Sequence, residues 1–291
     1  MLEELRRTYQ FINRHPIGRR AKPQAWKRWV QWQLGTRLLN APVVMPWIDD
    51  SSLVAERGMT GATGNIYCGL HEFADMSLLL HYFSAPDETD RFYDIGANVG
   101  SYSLLAGKVC KVPGLAFEPV PTTFNALERN LKTNELEGLI HAKRTAVGAS
   151  SEWIKFSTDR GPTNQVVDHS YKGSSQDVPV ITLDSLIGES PVASFWKIDV
   201  EGFEMEVLEG AKESLQSPRV NVILLEETSV AIAAIMSDAG FRQMSYDPFS
   251  RELISATSET NRNNQVWIRN PEKVQERCRN APKREILGVE F

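Results

Sequence analysis

The stretch Arg91-Phe92-Tyr93-Asp94-Ile95-Gly96-Ala97-Asn98-Val99-Gly100-Ser101 joins an apolar, strand-like lead-in to a helical start near Ser101. Two glycines four residues apart let the backbone bend sharply and approach a ligand where a Cβ would collide, and the amides of the next helix face that ligand. It reads as a nucleotide-binding turn. A dinucleotide fingerprint needs G-x-G-x-x-G, but Ala97 fills the middle glycine position and Asp94 precedes Gly96 by two. Asp-x-Gly-x-x-x-Gly is the spacing expected for S-adenosylmethionine (SAM), whose zwitterionic methionine end needs amides and an acidic surround rather than a pyrophosphate cradle. The expected contacts are Asp94, Gly96, Ala97, Asn98 and Gly100.

Outward from this turn the chain alternates. A helix near 100–108 is followed by a strand Leu115–Glu118, and Pro121 opens a helix whose Phe124, Leu127 and Leu131 make its inner face. Strand-like segments follow at 139–147 and 152–157, then a loop over 159–177 predicted to be mobile, a strand Val178–Ile181 and a short helix at 184–187. Strands at Ser194–Asp199 and Val220–Leu225 alternate with helices carrying Phe203, Val207, Leu208, Ala211 and Leu215, and then 229–239; strands near 241–246 and 264–269 close the domain. Alternation of this kind implies an α/β, Rossmann-like, mostly parallel sheet with right-handed crossovers, helices on both faces and ligands beyond the carboxyl ends of the strands.

Upstream, His71–Phe83 has helical periodicity through Phe73, Met76, Leu79, Leu80 and Phe83, whereas 40–70, punctuated by six Gly or Pro residues, reads as a loop with short strands. Helices at 2–14 and 24–39 form a helical appendage, the second with Trp26, Trp29 and Trp32 among Lys27, Arg28 and Arg37. That stripe either packs the helix on the catalytic domain or meets a membrane surface, an aromatic substrate or a partner. The expected organisation is an appendage over 1–54, the main domain over 55–270 and a peripheral tail over 271–291.

Composition narrows the function classes. The net charge is -5, but residues 1–40 hold nine Lys or Arg against two acids, so the remainder carries -12. No general nucleic-acid footprint follows, and any basic surface belongs to the N-terminal segment. Cys68, Cys110 and Cys278 are an odd number without C-x-x-C spacing, which argues against a disulfide framework or zinc site. With no spanning apolar run and a charged start, MLEELRRTYQ, a cytoplasmic location is expected.

Three further groups carry chemistry. Glu118, 22 residues past Gly96 at the end of the next strand, can accept two hydrogen bonds from a ribose diol. In Lys197-Ile198-Asp199-Val200-Glu201-Gly202, alternation places Lys197, Asp199 and Glu201 on one face and two acids at the ligand edge; the bland alternative is a Lys197–Asp199 pair at a solvated strand end. Glu226 and Glu227 end the next strand, and one of them is expected to reach substrate. Glu72 or His71 can close over the methionine end of the cofactor, or Glu72 is equally an acid at a helix N-terminus; Glu204 starts a helix and complements its dipole, and His169 is either a base delivered by loop closure or an exposed side chain.

On these residues the chain resembles the FkbM-type SAM-dependent O-methyltransferases. The matching blocks are FYDIGANVGSYSLLA (92–106), AFEPVPTTFNALERN (116–130), AVG (146–148), VITLDSL (180–186) and KIDVEGFEMEVLEGA (197–211), with GMTGATGNIYCGLHEF (58–73) similar to longer bacterial members. The resemblance implies a seven-stranded class I methyltransferase sheet and methyl transfer to a hydroxyl, often on a sugar or a polyketide-derived product; the acceptor expected here is a small molecule, sugar or glycolipid, a carbohydrate or related hydroxylated metabolite. Its blocks extend the cofactor site to Ser103, Pro119, Ala146 and Val147, and leave a binding role for Asn164 open. An alcohol acceptor needs a base as the C–O bond forms. Asp199 is the first candidate, Glu226 the second and His169 the third; Mg²⁺ on Asp199, Glu201 and Glu226 is a less favoured alternative. Two other readings compete, a nicotinamide oxidoreductase, disfavoured by Ala97 and Asp94, and a non-catalytic SAM- or lipid-binding adaptor working through the Trp-rich helix.

Overall fold

Phe92–Ile95, Gly114–Phe117, Phe195–Ile198 and Val222–Leu225 are buried at every position, as expected of strands covered on both faces. The computed structural model describes residues 2–39, 41–56, 59–159, 166–167, 170–226, 229–256 and 264–291. The chain begins with α1 (Leu2–Arg14), α2 (Lys22–Leu39), the hairpin β1 (Val43–Pro46) and β2 (Ser52–Ala55), α3 (Thr60–Cys68) and α4 (Phe73–Tyr82). Then come β3 (Phe92–Ile95), α5 (Ser101–Leu104) running into a π-helical turn at Leu105–Val109, β4 (Gly114–Phe117), α6 (Pro121–Thr133), β5 (Ile140–Lys143), β6 (Ala146–Val147), β7 (Trp153–Ser157) and β8 (Ser175–Ile181). After a 3-10 turn at Asp184–Leu186 follow β9 (Phe195–Ile198), α7 (Glu204–Glu209), α8 (Lys212–Gln216), β10 (Val222–Leu225), α9 (Val230–Asp238), β11 (Arg242–Asp247), β12 (Glu252–Ser255), β13 (Gln265–Ile268), α10 (Pro271–Asn280) and the hairpin β14 (Glu285–Ile286) and β15 (Val289–Glu290).

The main sheet has the order β12-β11-β13-β10-β9-β3-β4-β5, with β3, β4, β5, β9 and β10 parallel and β13 antiparallel to both its neighbours. This is the Rossmann-like class I methyltransferase arrangement, and the hairpin partner β12 adds an eighth strand to the expected seven. Alternate strand residues feed two cores. Phe92, Phe195 and Val222 pack with α4, the α5 region and α6, while Tyr93, Trp196 and Ile223 pack with α7, α8 and α9. Helices therefore cover both faces. A small sheet, β6-β8-β7, buries Ala146, Phe156, Val178 and Val180 together with Val120.

Several local expectations give way to tertiary context. Residues 60–68 are helical rather than loop, although they contain two glycines; a Cβ at Gly64 would lie 2.6 Å from the His71 ring, so close packing overrides the low helix propensity of glycine. The single helix expected after β9 is two, because the Asp184 carboxylate accepts from Glu213 N and Ser214 N at 2.9 and 2.8 Å and so caps α8 from outside. The tail is not peripheral. Val274, Cys278, Ile286 and Phe291 are buried in the same core as α4.

The N-terminal helices and the turn between them join that core through Ile12, Ile17, Ala25 and the buried Trp32. Trp26 and Trp29 are half-buried, meet edge to face at 5.4 Å and also pack against it, which is the packing reading of the stripe. Two asparagines, Asn130 of α6 and Asn134 at its C-cap, fasten the hairpin to the body. Asn130 Oδ1 accepts from Val54 N at 2.7 Å, Asn130 Nδ2 donates to Val99 O at 2.9 Å, and Asn134 exchanges hydrogen bonds with both Ser52 N and Ser52 O at 2.8 Å.

Candidate active site

The strand register decides what the site contains. Ile95 pairs with Phe117 and with Ile198, and Ile198 pairs with Leu225. The next residue of each strand, Gly96, Glu118, Asp199 and Glu226, therefore lies in one row beyond the carboxyl edge, where the chain order reverses between β3 and β9. Open α/β sheets bind ligands at that switch point. A cavity of about 470 Å³ opens there, and all four residues line it.

The glycine turn works differently from the expectation. Gly96 and Ala97 both donate their amides to Phe117 O, at 3.0 and 2.9 Å, and Gly100 N donates to Ala97 O at 2.8 Å. The first two amides fasten the turn to β4 and the third closes the turn on itself, rather than facing a ligand. Gly96 is required because it has φ +76° and a Cβ on it would lie 1.7 Å from Asp199 O; the steric demand comes from the neighbouring strand end. Gly100 and Ser103 stand behind the cavity wall, whereas Ala97 and Asn98 line it. Asn98 has a left-handed φ of +50°, which asparagine tolerates better than most residues.

Asp94 is 1% exposed and accepts from both Ser103 N, at 3.0 Å, and Ser103 Oγ, at 2.6 Å. It holds the head of α5 to β3. Burial raises its pKa, against the Lys197 ammonium and the Ser103 hydrogen bonds. Glu118 receives one backbone amide on each oxygen, Asn98 N at 3.0 Å and Val120 N at 2.9 Å, which fixes the carboxylate and leaves each oxygen a lone pair. Burial pushes Glu118 up to about 7 in spite of those bonds. Pro119, Ala146 and Val147 complete this wall of the cavity.

At the other side, Lys197 Nζ forms a short ion pair with Asp199 and lies 5.1 Å from the centre of the Tyr102 ring. Burial works to discharge Lys197, but Asp199, Glu72 and Asp94 outweigh it and hold the ammonium charged. For Asp199 burial is likewise overcome, by the Lys197 charge and a hydrogen bond shared with Glu226, so its carboxyl stays below the ordinary range. Glu226 moves the opposite way. Burial, the hydrogen bond with Asp199 and the charges of Asp199 and Glu201 push it up to about 8. Among the described residues Glu226 Oε2 is buried without a hydrogen-bond partner, a deficit that a bound hydroxyl can fill.

Glu201, held at φ +53°, brings a third carboxylate to this side. Asp199, Glu201 and Glu226 can each present one oxygen within 4.8 Å of the others, the grouping expected for the Mg²⁺ alternative. Glu204 does more than face a helix dipole: it is 2% exposed and its Oε1 lies 3.3 Å from Val200 N and 3.4 Å from Gly202 N, bracing the loop that carries Glu201.

Glu72 lines the cavity at the head of α4, accepting from Tyr102 OH at 2.8 Å and Asn264 Nδ2 at 3.1 Å. The same Asn264 amide reaches buried Asp75 at 2.9 Å, and burial together with the Glu72 charge pushes Asp75 up to about 7. His71 also lines the cavity, edge-on to Phe11 of α1 at 5.2 Å. Tyr102 and Asn264 escaped the sequence reading. Tyr102 lies inside a matching block on a helical stretch with no local mark of function, and nothing in the chain ties Asn264 to a residue 192 positions away. His169, Asn164 and Glu227 lie outside the described residues.

Comparison with known proteins agrees with this geometry. Residues 94–243 match the family model of the methyltransferase FkbM domain. The chain is similar to the hexuronic acid methyltransferase AglP of Haloferax volcanii, 34% identical over 142 residues covering 48% of this chain and 56% of that protein. It is also similar to Methyltransferase 1 of Beauveria bassiana, 28% identical over 154 residues covering 44% and 61%. The match thus spans about six-tenths of the length of these relatives. A solved structure of methyltransferase FkbM from Methylobacillus flagellatus aligns over 71% of this chain and 52% of its own, at 14% identity and a TM-score of 0.45. With the family model covering half of its length, including the glycine turn, Glu118 and the paired acids, the chain belongs to the FkbM methyltransferase family.

Proposed function

We propose that the protein is a SAM-dependent O-methyltransferase that methylates a hydroxyl of a carbohydrate or a related hydroxylated metabolite. The observation that carries this reading is the charge of the cavity. Among the described residues, Glu72, Asp94, Glu118, Asp199, Glu201 and Glu226 line it against one ammonium, that of Lys197. An acidic pocket favours a ligand bearing a sulfonium and an ammonium and repels a pyrophosphate, which sets SAM above a nicotinamide dinucleotide. Glu118, fixed by two amides, suits a ribose diol. The hexuronic acid named for the Haloferax relative points to a sugar or sugar acid as acceptor.

SAM supplies an electrophilic methyl group, and the chain has to bind, align and dehydrate the reactants and remove one proton. We assign the proton to Glu226 ahead of Asp199. A base is most effective with a pKa near the working pH; Glu226 is raised into that range, while Asp199 is committed to Lys197 and lowered. Two acids in contact with divergent pKa values are a recurrent acid–base arrangement. The Lys197 ammonium already balances Asp199, which supports the proton role over the Mg²⁺ alternative; activity unchanged by a chelator is the expected result.

Calorimetry with purified protein tests the cofactor. SAM is expected to bind saturably and NAD not at all, and Glu118→Ala to weaken SAM by about tenfold or more, the worth of one or two hydrogen bonds to a charged group. Saturable NAD binding with no uptake of SAM overturns the reading. Labelled SAM offered with uronic-acid glycans then tests the acceptor class.

A further inference from the structure

The outward face of α2 carries a second feature that the cavity chemistry does not use. Ala25, Trp32, Gln33 and Thr36 turn into the core, yet Val30, Leu34 and Leu38, four residues apart, are 44%, 56% and 80% exposed. The stripe extends to half-buried Trp26, which lies beside Tyr9 of α1 at 6.4 Å; Tyr9 is 57% exposed and Leu5, one turn back, 42%. A helix apolar on both sides at a protein surface implies that its outer side is covered by something else. At 100° per residue, Lys27 and Arg37 fall in the same sector as the stripe, one at each end, and both are exposed.

We infer that this face of α1 and α2 docks on an anionic lipid bilayer. Charge selects that occupant. The first 40 residues carry nine Lys or Arg against two acids, so +7, while the rest of the chain carries -12. A two-fold contact between copies through this face would bring Lys27 and Arg37 of one copy, within a segment of net charge +7, up to the same cations of the other with no acid on the stripe to pair them, which disfavours a homodimer, whereas an anionic surface attracts the stripe and repels the acidic body, so that the protein is bound in one orientation. Aliphatic side chains with cations on the same face suit a helix lying in the plane of the headgroups. Of the expected stripe Trp26, Trp29 and Trp32, Trp26 stays at the edge of this face, and its exposed part is made by Val30, Leu34 and Leu38 with Tyr9 and Leu5.

Flotation of the full chain with phosphatidylcholine vesicles, with and without phosphatidylglycerol, tests the inference. The protein is expected to float with the anionic vesicles at low salt, to stay behind with the neutral ones, and to be largely released at about 0.5 M NaCl, where surface charge is screened. Leu34→Glu with Leu38→Glu is expected to reduce anionic binding about tenfold or more while SAM affinity, as the check of folding, is unchanged. Lys27→Glu with Arg37→Glu, which alters only exposed polar positions, is expected to reduce it as well and keeps the test open should the first variant misfold. No binding of the wild type at low salt, equal binding by the folded variants, or a wild-type dimer that Leu34→Glu with Leu38→Glu converts to monomer each overturns the inference.

Discussion

Asp199 and Glu226 sit one step past the ends of adjacent parallel strands, and their carboxyls are driven apart in pKa by what surrounds each. Lysine contact decides the difference: Asp199 touches Lys197, and Glu226 meets like charges and burial instead. A base must be deprotonated to act, so kcat/KM is expected to rise with pH through about 8 and level off above it. Glu226→Gln is expected to lower kcat by roughly 10²- to 10⁴-fold, the usual worth of general base catalysis, and to abolish that limb while leaving SAM affinity within a few-fold. A Glu226→Gln enzyme with wild-type kcat and the same pH limb would remove the assignment. Chain order alone cannot make this distinction, because both residues read as acids at strand ends. The row Gly96, Glu118, Asp199 and Glu226 was legible from alternation and spacing. The use of the Gly96 and Ala97 amides was not, since Phe117 O accepts them only once β3 and β4 are in register.

Elements were legible where hydrophobic period and punctuation agreed, as in α6, opened by Pro121, and in the four buried strands. They were misread where a distant group overrules local propensity: Gly64 in α3 is admitted by the His71 ring, and α8 is started by Asp184 across 29 residues. Asn130 is the same kind of device. It is fully buried in α6 and satisfies Val54 N and Val99 O at once, tying the β1–β2 hairpin to the turn that carries Asn98. Asn130→Ala leaves these buried backbone groups without partners, for an expected loss of roughly 2 to 4 kcal/mol in urea unfolding. The midpoint should fall with the slope unchanged. A loss below about 0.5 kcal/mol, the level of a neutral surface change, would show that water replaces the asparagine without cost.

Across the whole molecule one hydrophobic core runs from Ile12 and Trp32 of the N-terminal helices, through Phe73 and Leu79 of α4 and the sheet, to Val274 and Phe291 at the other end of the chain. A peripheral tail was expected from its charge, but Phe291 lies 5.2 Å from the Phe73 ring and 5.5 Å from the His81 ring, and Phe291 and Arg284 exchange backbone hydrogen bonds at 3.0 and 3.1 Å. Its apolar residues are too few and too widely spaced to register as a periodic pattern, so their burial emerges only from the contact with α4. Ile286 even occupies the space above Gly69, where a Cβ would come within 2.4 Å of Cγ2. Deleting residues 285–291 removes the buried side chains Ile286, Val289 and Phe291, each worth about 1.5 to 3 kcal/mol. The sum approaches the roughly 5 to 15 kcal/mol that holds a typical domain together. The truncated chain is therefore expected to lose cooperative thermal unfolding. Phe291→Ala, a milder change, is expected to cost about 3 kcal/mol and lower Tm by several degrees. Because Glu72 caps α4 and Asp75 lies in its first turn, SAM affinity should fall in the same variant before unfolding begins. A Phe291→Ala protein with the melting curve and SAM affinity of the wild type would return the tail to the periphery.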